Sequence, residues 1–197
     1  MVLTLDLLLA STSPYRRALL ARLGLPFRVR APLCDEESLK AAALSPRELA
    51  EHLAFAKADS LAWQEPQATI IGSDQLATFD GRILGKPGSF DAAVEQLLSM
   101  SGRPHQLITA FVVLHQAVAR RHTDVATLQM RRLTRAEIER YVAADQPFDC
   151  AGAYKLEERG ITLFERIESA DHSAITGLPL IALTTTLREL GAWNSES

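Results

Sequence analysis

A mixed α/β fold, of α/β or α+β type and built on a twisted mixed β-sheet, is predicted by three features of the 197-residue chain. Short apolar runs of strand length alternate with stretches of helical period, those stretches begin at recognisable caps, and one long central segment alternates apolar and polar residues as an antiparallel ribbon does.

Leu5 to Ala10 is a continuous apolar run suited to a strand buried on both faces. Ser13 then stands as N-cap, and Pro14 at the first position, of a helix that Gly24 ends. Phe27 to Ala31 reads Phe, Arg, Val, Arg, Ala, the period of a half-buried strand. Ser45 and Pro46 open a second helix that runs to Trp63 and aligns Leu49, Leu53, Ala56 and Leu61. Ala68 to Ser73 is a short buried strand ending at Asp74, and Asp80 with Gly81 marks a hairpin in QLATFDGRILGKP. Ser89 caps a helix through Met100 that Gly102 ends, and Gln106 to Arg132 forms the ribbon, turning near Ala119. Thr134 and Glu137 make a capping box for a helix through Ala144. Ile161 to Ile167 is a further strand, and Pro179 opens a last helix that ends at Gly191. No repeat, low-complexity tract or linker interrupts residues 1–197, so a single domain is expected.

With 47% hydrophobic and 23% charged residues, the chain has the composition of an ordinary soluble protein long enough to bury a full core. A formal net charge of −3 speaks against non-specific binding to nucleic acid, which wants a basic face. No apolar run reaches the roughly 18 residues of a membrane-crossing helix. The N-terminus carries Asp6 and no leading positive charge, so it reads as a first strand rather than a signal peptide. A cytoplasmic location, with neither membrane nor nucleic acid as partner, is the resulting expectation. Cys34 and Cys150 lack metal or disulfide spacing and are expected to be reduced packing residues.

The chemistry starts at the first helix, which places Arg16 and Arg17 in its opening turn, where the helix dipole is positive and acidic residues are the stabilising choice. An anion resolves the conflict, because free N–H groups, the Ser11 and Ser13 hydroxyls and two guanidinium forks together suit a phosphate chain. A solvated helix end is the competing reading. Asp74 and Gln75 follow a second buried strand, and ligands of open α/β sheets gather at the carboxyl ends of strands. Asp35, Glu36 and Glu37 are an acidic run that could supply oxygen ligands to Mg²⁺ or form a solvated loop. Lys86 in LGKPGS does not satisfy the GxxxxGK[ST] pattern, the five histidines show no metal spacing, and no GxSxG elbow surrounds the serines.

Eight stretches in order then resemble the successive motifs of the Maf family of nucleotide pyrophosphatases. They are ASTSPYRR from Ala10, the Asp35 and Glu36 pair, FAKA around Lys57, IIGSDQ ending in Asp74 and Gln75, GKP at Lys86, SGRPH from Ser101, CAGAY with Lys155 and Glu157, and GLPL from Gly177. The likeness runs from Leu3 to Leu190 and is greatest to the YceF-like subfamily, whose members hydrolyse 7-methyl-GTP to the monophosphate and pyrophosphate. It implies an inosine-triphosphatase-like fold with two lobes around a cleft, dependence on a divalent cation (Mg²⁺ or Mn²⁺), a homodimer, and an aspartate, aligned with Asp74, that accepts a proton.

On that resemblance Ser13, Arg16, Arg17, Lys57 and Lys86 hold the phosphates, Glu36 joins Asp74 on the metal side, and Tyr15, Gln75 and Glu157 determine the base. Chemistry agrees at Glu157, since guanine presents N1–H and N2–H₂ as adjacent donors that one carboxylate accepts, whereas a pyrimidine would favour an amide. A methylated, cationic base also gains from an aromatic face such as Tyr15, where the pattern leads us to expect tryptophan. The rival readings are a dTTP, UTP or modified-pyrimidine pyrophosphatase, and a non-catalytic nucleotide-binding regulator of cell division.

Overall fold

A computed structural model describes residues 5–40, 43–116 and 118–193. In chain order the elements are β1 (Leu7–Ala10), α1 (Pro14–Ala21), β2 (Phe27–Arg30), α2 (Glu36–Lys40), α3 (Pro46–Ala62), β3 (Thr69–Phe79), β4 (Arg82–Ile83), α4 (Phe90–Met100), β5 (Pro104–His115), β6 (Val118–Met130), α5 (Arg135–Asp145), β7 (Phe164–Glu168) and α6 (Leu180–Glu189). Two 3-10 turns, Arg159–Leu163 and His172–Thr176, precede β7 and α6. The strand order is β2-β1-β3-β5-β6-β7, with β4 on β3; β1 is parallel to both neighbours, while β4 and β7 are antiparallel to theirs. The sheet is therefore mixed, as expected.

The chain forms two compact units. The first contains the residues up to Gln75, Thr109–Asp124 and those from Asp171 on; the second contains Leu76–Ile108 and Val125–Ala170. In the first, β1 is buried at every position, which its unbroken apolar run requires. Leu7, Leu9, Ile71, Phe111, Leu183 and Leu187 belong to one core cluster. The edge strand β2 is covered with charge: Arg28 pairs with Asp6 and Glu65, and Arg30 with Glu65, which discourages pairing with another chain. In the second unit α4 and α5 pack together and present Val94, Leu97, Ile138 and Val142 to its interior. No helix among the described residues is long and apolar enough to cross a membrane.

Local signals held where a cap or turn is read from neighbouring residues. Ser45 with Glu48 and Thr134 with Glu137 both form capping boxes, Ser89 caps α4, and β3 pairs with β4 across Asp80 and Gly81. Several expectations are corrected. Asp74 and Gln75 do not follow a strand; they lie inside β3, which continues to Phe79 because a lysine from another element makes the carboxylate tolerable in a buried position. The β5 to β6 turn falls at Gln116, with φ of 48°, and Ala119 lies within β6; Ala117 is outside the described residues. Ile161 to Leu163 is 3-10 turn, and the strand starts only at Phe164. Glu36 opens a short helix instead of sitting in a loop, because the Asp35 carboxylate accepts from the Glu37 and Ser38 N–H groups and the Ser38 hydroxyl. β1 and α1 are also shorter than expected, starting at Leu7 and ending at Ala21.

Candidate active site

β1 stops at Ala10, whose register partner in β3 is Gly72, so β3 runs on past the end of β1 from Ser73. In the space this opens, the chain turns into α1. Ser13 N donates to Ser11 Oγ at 3.1 Å, and Ser13 Oγ accepts from Arg16 N at 3.3 Å, which satisfies one of the orphan donors of the helix start. No acidic residue stands in the first turn. Arg16 is half-buried and donates Nε–H to the Gly177 carbonyl at 3.0 Å, and its two Nη groups have no hydrogen-bond partner among the described residues; Arg17 and Tyr15 are exposed. Burial lowers the Arg16 pKa, and the charges of Asp74 and then Glu36 work against that shift, so the guanidinium lies within electrostatic reach of both carboxylates.

Those carboxylates meet at Lys57. Its ammonium donates to Asp74 Oδ1 at 2.6 Å and lies 3.1 Å from Glu36 Oε2; the side chains of Lys57 and Asp74 are 7% and 10% exposed, that of Glu36 36%. Gly72 makes the meeting possible. A Cβ there would stand 2.2 Å from the Ala54 carbonyl oxygen and 2.7 Å from Ala58 N, so only glycine lets β3 approach α3 closely enough for Lys57 to reach Asp74. Cys34 remains a free thiol whose pKa is raised, chiefly by burial and then by Glu36.

Next to Asp74, the Gln75 side-chain amide is held by the 3-10 turn at His172–Thr176. Its Nε2 donates to Thr109 Oγ1 at 2.9 Å and to the Ala174 and Ile175 carbonyls at 2.9 and 3.0 Å. Its amide donors are thereby committed, and Oε1 is the atom of this amide that can accept. Asp171 fixes this turn by accepting from Ser173 N, Ser173 Oγ and, through its other oxygen, Ile181 N.

The remaining candidates belong to the second unit. Lys86 is exposed in a turn whose Gly88 N–H donates to the Phe148 carbonyl at 2.9 Å. Glu157 is exposed in the segment after Tyr154. That segment is tied down by Tyr141 Oη, which accepts from Lys155 N at 2.9 Å, and by a 2.9 Å hydrogen bond between Tyr154 Oη and His105 Nε2. Burial raises the pKa of both tyrosines, pushes the Cys150 thiol up to about 11 and His105 down to about 4.

The structure thus brings Lys57, Asp74 and Glu36 into contact in the first unit and sets Arg16 within reach of their charge. Sequence reasoning missed Ser73, Thr109, Asp171 and the Gly177 carbonyl, of which only the glycine of GLPL carried a signal. For a divalent cation the donor set fits in kind: Glu36 and Asp74 offer the hard oxygens that magnesium takes, and substrate phosphates commonly complete such a sphere. Among the described residues no group of three or more His, Cys, Asp or Glu side chains gathers at one point.

Fold and side chains together define a mixed α/β protein whose arginine-bearing helix start stands within reach of a lysine-bridged carboxylate pair. The chain belongs to the Maf family, whose model, described as Maf-like protein, matches residues 6–190. It is 51% identical to a 7-methyl-GTP pyrophosphatase of Bdellovibrio bacteriovorus over 90% of this chain and 93% of that one. It is 45% identical to a 7-methyl-GTP pyrophosphatase of Pseudomonas putida over 95% and 97%, and 48% identical to one of Xanthomonas oryzae pv. oryzae over 94% and 96%. Among solved structures it resembles a HAM1 protein from Coxiella burnetii with a TM-score of 0.49 and 15% identity, over 94% of this chain and 99% of that one.

Proposed function

We propose that this chain is a nucleoside triphosphate pyrophosphatase that hydrolyses 7-methyl-GTP to 7-methyl-GMP and pyrophosphate. The reading is carried by the meeting of Lys57 with Asp74 and Glu36 within reach of Arg16, in a chain whose relatives are named for that activity. Water attacks the α-phosphorus, the bond from that phosphorus to the α–β bridging oxygen breaks, and pyrophosphate leaves. Asp74 Oδ2, the carboxylate oxygen that Lys57 does not hold, takes the proton from the water. Lys57 neutralises and orients the pair and keeps one N–H for a phosphate oxygen. The Arg16 Nη groups, Arg17 and the Ser13 hydroxyl receive the phosphates, and Lys86 adds a point charge. Glu36 and Asp74 would hold a divalent cation, Mg²⁺ or Mn²⁺, and when bound it would supply Lewis-acid neutralisation of charge on the phosphates.

On the base, Glu157 accepts from guanine N1–H and N2–H₂, Gln75 offers Oε1, and Tyr15 presents a ring to the methylated, cationic imidazole side. A cytoplasmic setting and a homodimer belong to the same proposal.

Pyrophosphate release by the purified chain with Mg²⁺ or Mn²⁺, over 7-methyl-GTP, GTP, dTTP and UTP, tests it. The highest kcat/KM is expected for 7-methyl-GTP. A preference for dTTP or UTP would move the substrate to the pyrimidine class, and nucleotide binding without release would favour a regulator.

A further inference from the structure

One carbonyl oxygen, that of Gly177, stands between two side chains that no motif connects. Arg16 Nε donates to it at 3.0 Å, and Ser73 Oγ lies 3.0 Å from it and 2.8 Å from the Ala110 carbonyl. A carbonyl oxygen has two lone pairs, one for each of these neighbours, while the single Ser73 O–H is shared between the Gly177 and Ala110 carbonyls. Ser73 is fully buried and follows the Gly72 that brings β3 against α3. Gly177 has φ of 110°, a backbone conformation that favours glycine, and a Cβ on it would stand 3.4 Å from Arg16 Nε, so the guanidinium packs directly against this residue. The turn before it is anchored at the other end by Asp171.

We propose that Ser73 is a positioning residue for phosphate binding: by sharing the Gly177 carbonyl it immobilises the acceptor of Arg16 Nε and thereby orients the two Nη groups for the phosphate oxygens. An arginine held by one hydrogen bond to a mobile acceptor can still pivot about it. An acceptor pinned from its other side removes that freedom before substrate arrives, which is where preorganised electrostatic contacts draw their effect. Gln75 rests on the same turn through the Ala174 and Ile175 carbonyls, whereas the Ser73 hydroxyl is directed to the Ala110 and Gly177 carbonyls, so the effect of Ser73 is assigned to the phosphates. The inference deepens the proposed function and rests on Arg16 binding phosphate.

A double-mutant cycle tests it, read as kcat/KM for pyrophosphate release from 7-methyl-GTP and from GTP. Arg16→Ala is expected to lower the value by about 10² to 10³-fold, and Ser73→Ala by about 10-fold, equally for both nucleotides. The double variant should be no worse than Arg16→Ala alone, a non-additivity that a general loss of packing would not produce. Should Ser73→Ala fail to fold, Ser73→Cys, which keeps a weak donor, carries the same cycle with a smaller loss. Full additivity, wild-type activity of the Ser73 variant, or a loss that differs between the two nucleotides overturns the clamp while leaving the pyrophosphatase reading intact. Wild-type activity of Arg16→Ala overturns the phosphate role of that arginine, and the clamp with it.

Discussion

Gly72 faces Ala54 so closely that a single added carbon would stand 2.2 Å from the Ala54 carbonyl oxygen, and this contact sets the distance between β3 and α3. Lys57 and Asp74 meet at 2.6 Å only because that spacing holds. Gly72→Ala should therefore force the two elements apart. Overpacking of a rigid core costs about 1 to 3 kcal/mol, and a clash with backbone belongs at the upper end. Chemical denaturation should show that loss, with pyrophosphate release falling more steeply than stability because the ion pair is stretched; an alanine variant with wild-type stability and rate would refute the role given to this approach.

His105 makes stability depend on pH in the second unit. Burial holds it near 4 in the folded chain against 6.5 for the free side chain, and its Nδ1 has no partner among the described residues. The unfolded chain binds the proton more readily, so the contribution is fully present above about pH 6.5 and is lost as pH falls toward 4. Urea unfolding at pH 7 and pH 5 should differ by about 2 kcal/mol through this residue. In His105→Gln that part of the difference should vanish; an unchanged pH dependence would remove His105 from the account.

In the proposed function Glu157 carries the preference for a guanine base. Glu157→Gln replaces a carboxylate that accepts twice by an amide, which suits the donor and acceptors of a pyrimidine edge. A hydrogen bond to a charged group contributes about 1.5 to 3 kcal/mol, so the ratio of kcat/KM for 7-methyl-GTP over UTP should fall by about 10-fold or more. An unaltered ratio would show that Glu157 does not read the base.

What was legible in the sequence was what neighbours encode. The capping boxes at Ser45 and Thr134 and the Asp80–Gly81 hairpin depend on residues at most three apart, and each formed as expected. The arginines of α1 were legible because they contradict the helix dipole, a conflict visible within one turn. Asp74 was misplaced at a strand end because the lysine that makes its burial tolerable lies 17 residues away on a different element. The turn at Gln116 was displaced because a left-handed residue there is neither glycine nor asparagine. Ser73 and Gly177 escaped notice for a related reason: their link runs through a backbone carbonyl over 104 positions, and a carbonyl has no signature in a sequence.

The central claim is that Asp74 takes the proton of the attacking water while the surrounding cations hold the triphosphate. Asp74→Asn, assayed for pyrophosphate release from 7-methyl-GTP and, in parallel, for nucleotide binding by calorimetry, tests it most directly. The account predicts a fall in kcat of at least about 10³-fold with binding still measurable. Release at the wild-type rate from that variant would contradict it.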